Sequence, residues 1–130
     1  MKRSPLLHAE LSHVIASLGH GDMLVLCDAG LPIPDGPRRI DLAVARGVPR
    51  LDEVLKAVLS EMQVEGIVVA DEALDDAKNP PGWYPQSLGI APQTVPHEEF
   101  KRRTAKARAM VRTGECTPYA NIILIAGVKF

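Results

Sequence analysis

The chain has 130 residues, 46% of them hydrophobic and 24% charged, which suits one soluble globular domain spanning residues 1–130. Fifteen Lys and Arg against sixteen Asp and Glu leave a formal net charge of −1, so no strong field draws the chain to nucleic acid or anionic membrane. No stretch reaches the ~18 apolar residues needed to cross a bilayer. The basic start at Lys2 and Arg3 leads into an apolar segment broken by His8 and Glu10, unlike a signal peptide. Cys27 and Cys116 form no Cys-x-x-Cys pair, so reduced thiols and a cytoplasmic location are expected.

Leu7, Leu11, Val14, Ile15 and Leu18 recur at helical spacing. Ser4 is the expected cap, Pro5 fits the first helical position, and Gly19 fits the stop. Residues 23–27, Met-Leu-Val-Leu-Cys, form an unbroken apolar run that reads as a strand buried on both faces. Three prolines and two glycines make residues 29–37 an irregular loop. Residues 40–44 read as a second strand. Leu51, Val54, Leu55, Val58, Leu59 and Met62 mark a second amphipathic helix. Residues 64–70 read as a strand and residues 71–78 as a short helix.

Residues 79–92 carry four prolines, two glycines, Trp83 and Tyr84, and form a long loop of the kind that is often functional. Thr94 and Val95 suggest a short strand. Residues 97–112 are helical in composition, with Phe100, Thr104, Ala107 and Val111 along one face and Gly114 as the stop. Residues 121–128 are the last and most hydrophobic strand. Strands alternating with helices predict an α/β fold: a single-domain three-layer α/β/α sandwich with a mixed, mainly parallel sheet.

Several chemistries are excluded by pattern. After Gly19-His20-Gly21, the third glycine of a dinucleotide-binding loop is replaced by Leu24. There is no phosphate-binding loop, no H-E-x-x-H zinc motif and no G-x-S-x-G elbow. His8, His13 and His20 have no recognised ligand spacing, so no metal is expected. What remains are polar residues at element ends: His20, Asp28, His97, and Tyr119 with Asn121. Singly, each is a weak signal: a histidine beside a glycine turn is more often a surface residue than a catalyst, Asp28 also reads as a turn former, Asn121 as the start of its strand, and Tyr119 as half-buried packing. Together they supply an imidazole, a carboxylate, an amide and a phenol without a nucleophile. That set suits a neutral polyol and a reaction made only of proton transfers.

The same segments resemble the D-ribose pyranase family, relatives of the L-fucose mutarotases. The matching pieces are Leu-Gly-His-Gly-Asp at 18–22, Cys-Asp-Ala-Gly-Leu-Pro-Ile-Pro at 27–34, Arg-Ile-Asp at 39–41, Glu-Met-Gln-Val-Glu at 61–65, His-Glu-Glu-Phe-Lys at 97–101, Arg-Thr-Gly-Glu-Cys-Thr-Pro-Tyr-Ala-Asn-Ile-Ile-Leu at 112–124 and Ala-Gly-Val at 126–128. The resemblance runs from end to end. It implies exchange of ribose between pyranose and furanose forms, with no cofactor. By position it makes His20 the proton donor, with Asp28, His97, Tyr119, Ala120 and Asn121 holding the sugar and Lys101 supporting them. It also implies a homo-oligomer of pentameric rings, or a decamer, with sites between subunits. The chain departs from the family pattern mainly over residues 75–93, which bear on what covers the pocket.

Geometry adds an expectation of its own. With residues 23–27 extended, His20 and Asp28 stand about 26 Å apart at roughly 3.3 Å per residue. One pocket then contains both only if a neighbouring chain supplies one. Asn121 precedes its strand while Asp28 follows its own, which asks for antiparallel neighbours or two subunits. The apolar C-terminus at Val128 and Phe130 is expected either within the core or between subunits.

Three alternatives stand beside the isomerase: a non-catalytic monosaccharide-binding accessory protein of ribose uptake, an L-fucose-type mutarotase, and an RNA- or anion-binding protein using Lys101, Arg102, Arg103, Lys106, Arg108 and Arg112. For the last, the neutral total charge favours a solvated helix face instead.

Overall fold

The computed structural model describes residues 1–130. In chain order the elements are α1 (Ala9–Ser17), β1 (Met23–Cys27), β2 (Arg38–Asp41), α2 (Leu51–Leu59), β3 (Val64–Ala70), β4 (Gln93–Val95), α3 (His97–Thr104), β5 (Ala109–Arg112) and β6 (Ile122–Ala126), with 3-10 turns at Asp71–Ala73 and Gln86–Leu88. All six strands join one sheet in the order β2-β5-β1-β6-β3-β4. β2, β5 and β1 pair in parallel, as do β3 and β4; β6 is antiparallel to both β1 and β3.

Alternate side chains on each strand point to opposite faces. Leu24 and Leu26 of β1, Ala109 and Val111 of β5, and Ile122 and Leu124 of β6 pack with Leu11 and Val14 of α1 and Leu51, Val54, Leu55 and Val58 of α2. Val25 and Cys27, Met110, and Ile123 face the other way and pack with Phe100 of α3. Two apolar clusters on the two faces of one sheet are what a three-layer α/β/α sandwich requires. No helix is long and apolar enough to cross a membrane.

Several expectations are corrected. The helix expected over residues 97–112 ends at Thr104, and Ala109–Arg112 form β5, a strand in the parallel half of the sheet. The Ala109–Arg112 segment has strong helix formers on its N-terminal side and no turn residue to announce a break. It becomes a strand because the space between β1 and β2 buries it on both faces, and tertiary burial overrides propensity. The expected helix over 71–78 shrinks to the turn Asp71–Ala73. The first helix is capped by His8, whose Nδ1 accepts from the Leu11 N–H at 3.1 Å. Ser4, the expected cap, donates its hydroxyl hydrogen bond to Glu61 instead.

Gly114 shows how tightly the β2–α2 connection folds over the end of β5. A Cβ there would lie 2.4 Å from the Val48 carbonyl and 2.5 Å from that of Ala45. Both obstacles are backbone, and Gly114 N–H itself donates to the Pro49 carbonyl at 2.8 Å. Gly114→Ala is therefore expected to destabilise the protein by about 1–3 kcal/mol, the usual cost of overpacking, as measured by urea unfolding.

Candidate functional site

Because β6 runs against its neighbours, the carboxyl ends of β1, β3 and β4 and the amino end of β6 lie along one edge of the sheet. Clefts at the carboxyl ends of strands are where α/β sheets bind ligands. Asp28 follows β1 and Asn121 precedes β6, so the pairing sets them side by side. The Asp28 N–H donates to Asn121 Oδ1 at 2.8 Å, and Asn121 Nδ2 donates to Asp28 Oδ2 at 3.1 Å. Asp28 Oδ1 accepts from the Gly30 N–H at 2.9 Å. The Asn121 side chain is fully buried, which its reciprocal bonds to Asp28 make tolerable. Of the two arrangements the sequence left open, the structure adopts antiparallel neighbours within one chain.

Tyr119 stands two residues upstream in the left-handed region, at φ 62°, an uncommon conformation for an aromatic residue. Such strain tends to persist where it serves a site. Asn121 N–H donates to the Tyr119 carbonyl at 2.8 Å, which closes a tight turn around the buried Ala120. The turn holds the Tyr119 ring edge-on to the His97 ring, with centroids 5.1 Å apart and planes at 81°. His97 opens α3. Its N–H donates to Glu72 at 3.0 Å, and its ring stacks on Phe100 at 6.4 Å. His97 Nδ1 is buried without a hydrogen-bond partner, so the ring's bonding is incomplete in the isolated chain. Lys101, one turn along α3, pairs with Glu98 at 2.7 Å.

Cys27, the last residue of β1, is held neutral: burial first, then the nearby Asp28 carboxylate, pushes its thiol up to about 12. It is packing and takes no part as a nucleophile. Glu115 braces the same edge. Burial raises its carboxyl, but hydrogen bonds from Leu51 N–H and from Thr117 outweigh that and leave it below the ordinary range.

His20 is elsewhere. It precedes β1, at the opposite edge of the sheet, beyond the full length of a five-residue strand of roughly 16 Å. There its Nε2 meets both carboxylate oxygens of Glu65, at 2.9 and 2.8 Å. Within one chain the structure thus joins Asp28, Asn121, Ala120, Tyr119 and His97, and leaves His20 apart. None of the five main cavities is lined by any of these residues. Glu65 and Glu72 are the residues that sequence reasoning missed. Gly66, isolated inside a strand pattern, was the available signal of a bulge beside Glu65.

With this geometry in place, the chain can be compared with known proteins. Residues 1–129 match the model of the RbsD / FucU transport protein family. The chain belongs to that family. Two D-ribose pyranases match over their whole length and the whole of this chain: that of Variovorax paradoxus (strain S110) is 64% identical over 132 residues, and that of Paracidovorax citrulli (strain AAC00-1) is 66% identical over 131. Among solved structures, Bacillus subtilis RbsD complexed with D-ribose superposes with a TM-score of 0.88 at 41% identity, covering 100% of both chains. The fucose mutarotase of Streptococcus pneumoniae, in complex with L-fucose, gives 0.78 at 29% identity, again over 100% of both chains. The resemblance to the D-ribose pyranase family, carried by the motifs, and the α/β fold, read from alternating strands and helices, therefore both hold.

Asn121→Asp places a second carboxylate against Asp28 and removes the donor that reaches Asp28 Oδ2. The variant is expected to lose about 1–3 kcal/mol of stability in urea unfolding, the usual cost of a broken buried polar pair.

Proposed function

We propose that this protein is an intramolecular isomerase that exchanges D-ribose between its pyranose and furanose forms. The likeness along the whole chain to an RbsD complexed with D-ribose, together with the 64% and 66% identity to D-ribose pyranases, carries this reading. The residues fit the chemistry. To change ring size, the anomeric hydroxyl loses a proton, the ring oxygen gains one, and the bond between anomeric carbon and ring oxygen breaks. A different hydroxyl then adds to the aldehyde, with the proton movements reversed. Protons balance over the cycle, and no cofactor is called for.

His20 is the proposed proton donor. Asp28, oriented by Asn121 and the Gly30 N–H, accepts hydrogen bonds from sugar hydroxyls. Tyr119 and Ala120 form the turn against which the sugar rests, and His97 offers a ring with unfilled bonding capacity. Lys101 supports this group from α3. The two halves stand at opposite edges of one sheet, so we place the complete site between subunits of a homo-oligomer, with His20 of one protomer facing Asp28 of the next. Rings of five, alone or stacked in pairs, satisfy that head-to-tail contact. Val128 and Phe130 lie beyond the end of β6, on the His20 edge, and are exposed in the single chain; a neighbouring subunit would cover them. Burial in the chain's own core, one of the two expectations for this terminus, does not occur. A cytoplasmic location and a single functional unit over residues 1–130 complete the proposal.

Ring exchange of D-ribose at equilibrium, followed by magnetisation-transfer NMR, tests the reading. The wild type should accelerate exchange, with L-fucose as the comparison sugar. His20→Ala should lose about 10²–10⁴ of the acceleration and keep its fold. Sugar binding without acceleration in the wild type would instead make the protein an accessory binder. Mixing His20→Ala with Asp28→Ala subunits should restore about a quarter of the activity, the fraction of interfaces that receive both intact residues. No recovery after confirmed subunit exchange would refute the shared site.

A further inference from the structure

The loop that carries His20 is built more firmly than a surface loop needs to be. The Asp22 N–H donates to the Gly19 carbonyl at 3.1 Å, and the Asp22 carboxylate accepts from the Gly19 N–H at 2.8 Å. That backbone bond, followed by the Arg108 side chain at 3.1 Å, holds the Asp22 carboxyl below its usual range. Gly21 takes φ 84°, and its N–H donates to the Ala126 carbonyl at 2.8 Å. His20 is therefore fixed at the tip of a turn anchored to the end of β6.

Its partner is placed with equal care. In β3 the register against β6 slips between Val64, opposite Ala126, and Gly66, opposite Ile125. Glu65 is the extra residue of that bulge. Bulges of this kind re-aim a side chain and are common beside active sites. Here the bulge turns the Glu65 carboxylate onto His20 Nε2, with both oxygens within 2.9 Å. Gly127 leaves the room for it: a Cβ there would stand 3.1 Å from Glu65 Cβ. Both side chains are largely open to solvent, at 61% for His20 and 45% for Glu65, and a pair so exposed adds little to stability. The pair's value lies in orientation.

We propose that Glu65 is a positioning residue for His20. A carboxylate only accepts, so the neutral imidazole carries its hydrogen on Nε2, and Nδ1, which makes no hydrogen bond within the chain, is the nitrogen presented to the sugar. Nδ1 takes the proton from the anomeric hydroxyl and returns it to the ring oxygen as the ring opens. The other hydrogen stays on Nε2, donated to the Glu65 carboxylate, which stabilises the imidazolium between the two steps, as a carboxylate does behind the histidine of a hydrolytic triad. This inference rests on the reading that His20 moves protons on a sugar, and its test separates the two.

The test uses Glu65→Ala, Glu65→Gln and ¹⁵N-labelled histidine. In the wild type, the ¹⁵N shifts of neutral His20 should show hydrogen on Nε2 and a lone pair on Nδ1; in Glu65→Ala they should average between the two tautomers. In ribose exchange, Glu65→Ala should lower kcat about tenfold or more. Its KM should stay within about threefold of wild type, because the lost contact is made to the enzyme's own imidazole and not to the sugar. Glu65→Gln keeps an acceptor without the charge and should fall between. Hydrogen on Nδ1 in the wild type, an unchanged kcat in both folded variants, or a raised KM with intact kcat would overturn the proposal. A wild type that shows the Nε2 signature but does not accelerate exchange would sink the ribose reading while leaving the orienting role of Glu65 standing.

Discussion

The arrangement depends on one reversal: β6 lies between β1 and β3 and runs against both. Its residues are the most apolar in the chain, and Ile122, Ile123 and Leu124 are fully buried. Burying side chains of that size is worth roughly 1.5–3 kcal/mol each before entropy is counted, so the strand has no alternative to the middle of the sheet. Once there, its direction sets the chemistry of both edges. Its amino end brings Tyr119, Ala120 and Asn121 to the carboxyl ends of β1 and β4. Its carboxyl end brings Ala126 and Gly127 to the turn of His20 and the bulge of Glu65. Had β6 run parallel to β1, Asn121 would sit near His20 and Asp28 would lose the partner that orients it.

The two edges are held by different physics. At the Asp28 edge the central pair is wholly or partly buried, and the Asp28–Asn121 bonds satisfy the polar atoms of a fully buried amide. A missing partner there costs the full desolvation of the group left behind. At the His20 edge the groups are exposed, and water competes for every contact. Little stability is at stake, and geometry comes from backbone: a glycine in the left-handed region, a bulge, and hydrogen bonds to the end of β6. On the proposed reading, the first edge serves folding and binding together, and the second carries little of the folding, which suits a group that would gain and lose a proton without disturbing the structure around it.

The sequence made legible whatever local pattern controls. The run at residues 23–27, the second amphipathic helix and the strand at 64–70 appear where their periodicity puts them. Asp28 and His97 were legible because glycine, proline and chain punctuation mark element ends. What failed was controlled from far away in the chain. Ala109–Arg112 has helix-forming neighbours and becomes a strand only because β1 and β2 leave a slot of that width. His8 caps α1 because the helix starts only at Ala9, later than the local signals at Ser4 and Pro5 announce, while Ser4 bonds to Glu61, a partner 57 residues distant. For Glu65 the chain offers one local hint, the Gly66 that follows it inside a strand pattern; what turns it onto His20 is the slipped register against β6, and register is a property of two strands.

The separation of His20 from Asp28 also bears on how the proposed site achieves its rate. Each half is held within its own chain: one by reciprocal hydrogen bonds to a buried amide, the other by a short turn and a bulge. On the proposed head-to-tail assembly, the entropy of bringing imidazole and carboxylate together is lost once, when subunits associate, and not again at each turnover. A monosaccharide then meets a preformed pair, and the catalytic demand shrinks to moving one proton between the two oxygens on the anomeric carbon. A small α/β chain with no covalent nucleophile in the site can meet that demand, provided that the interface, and not a moving loop, supplies the alignment.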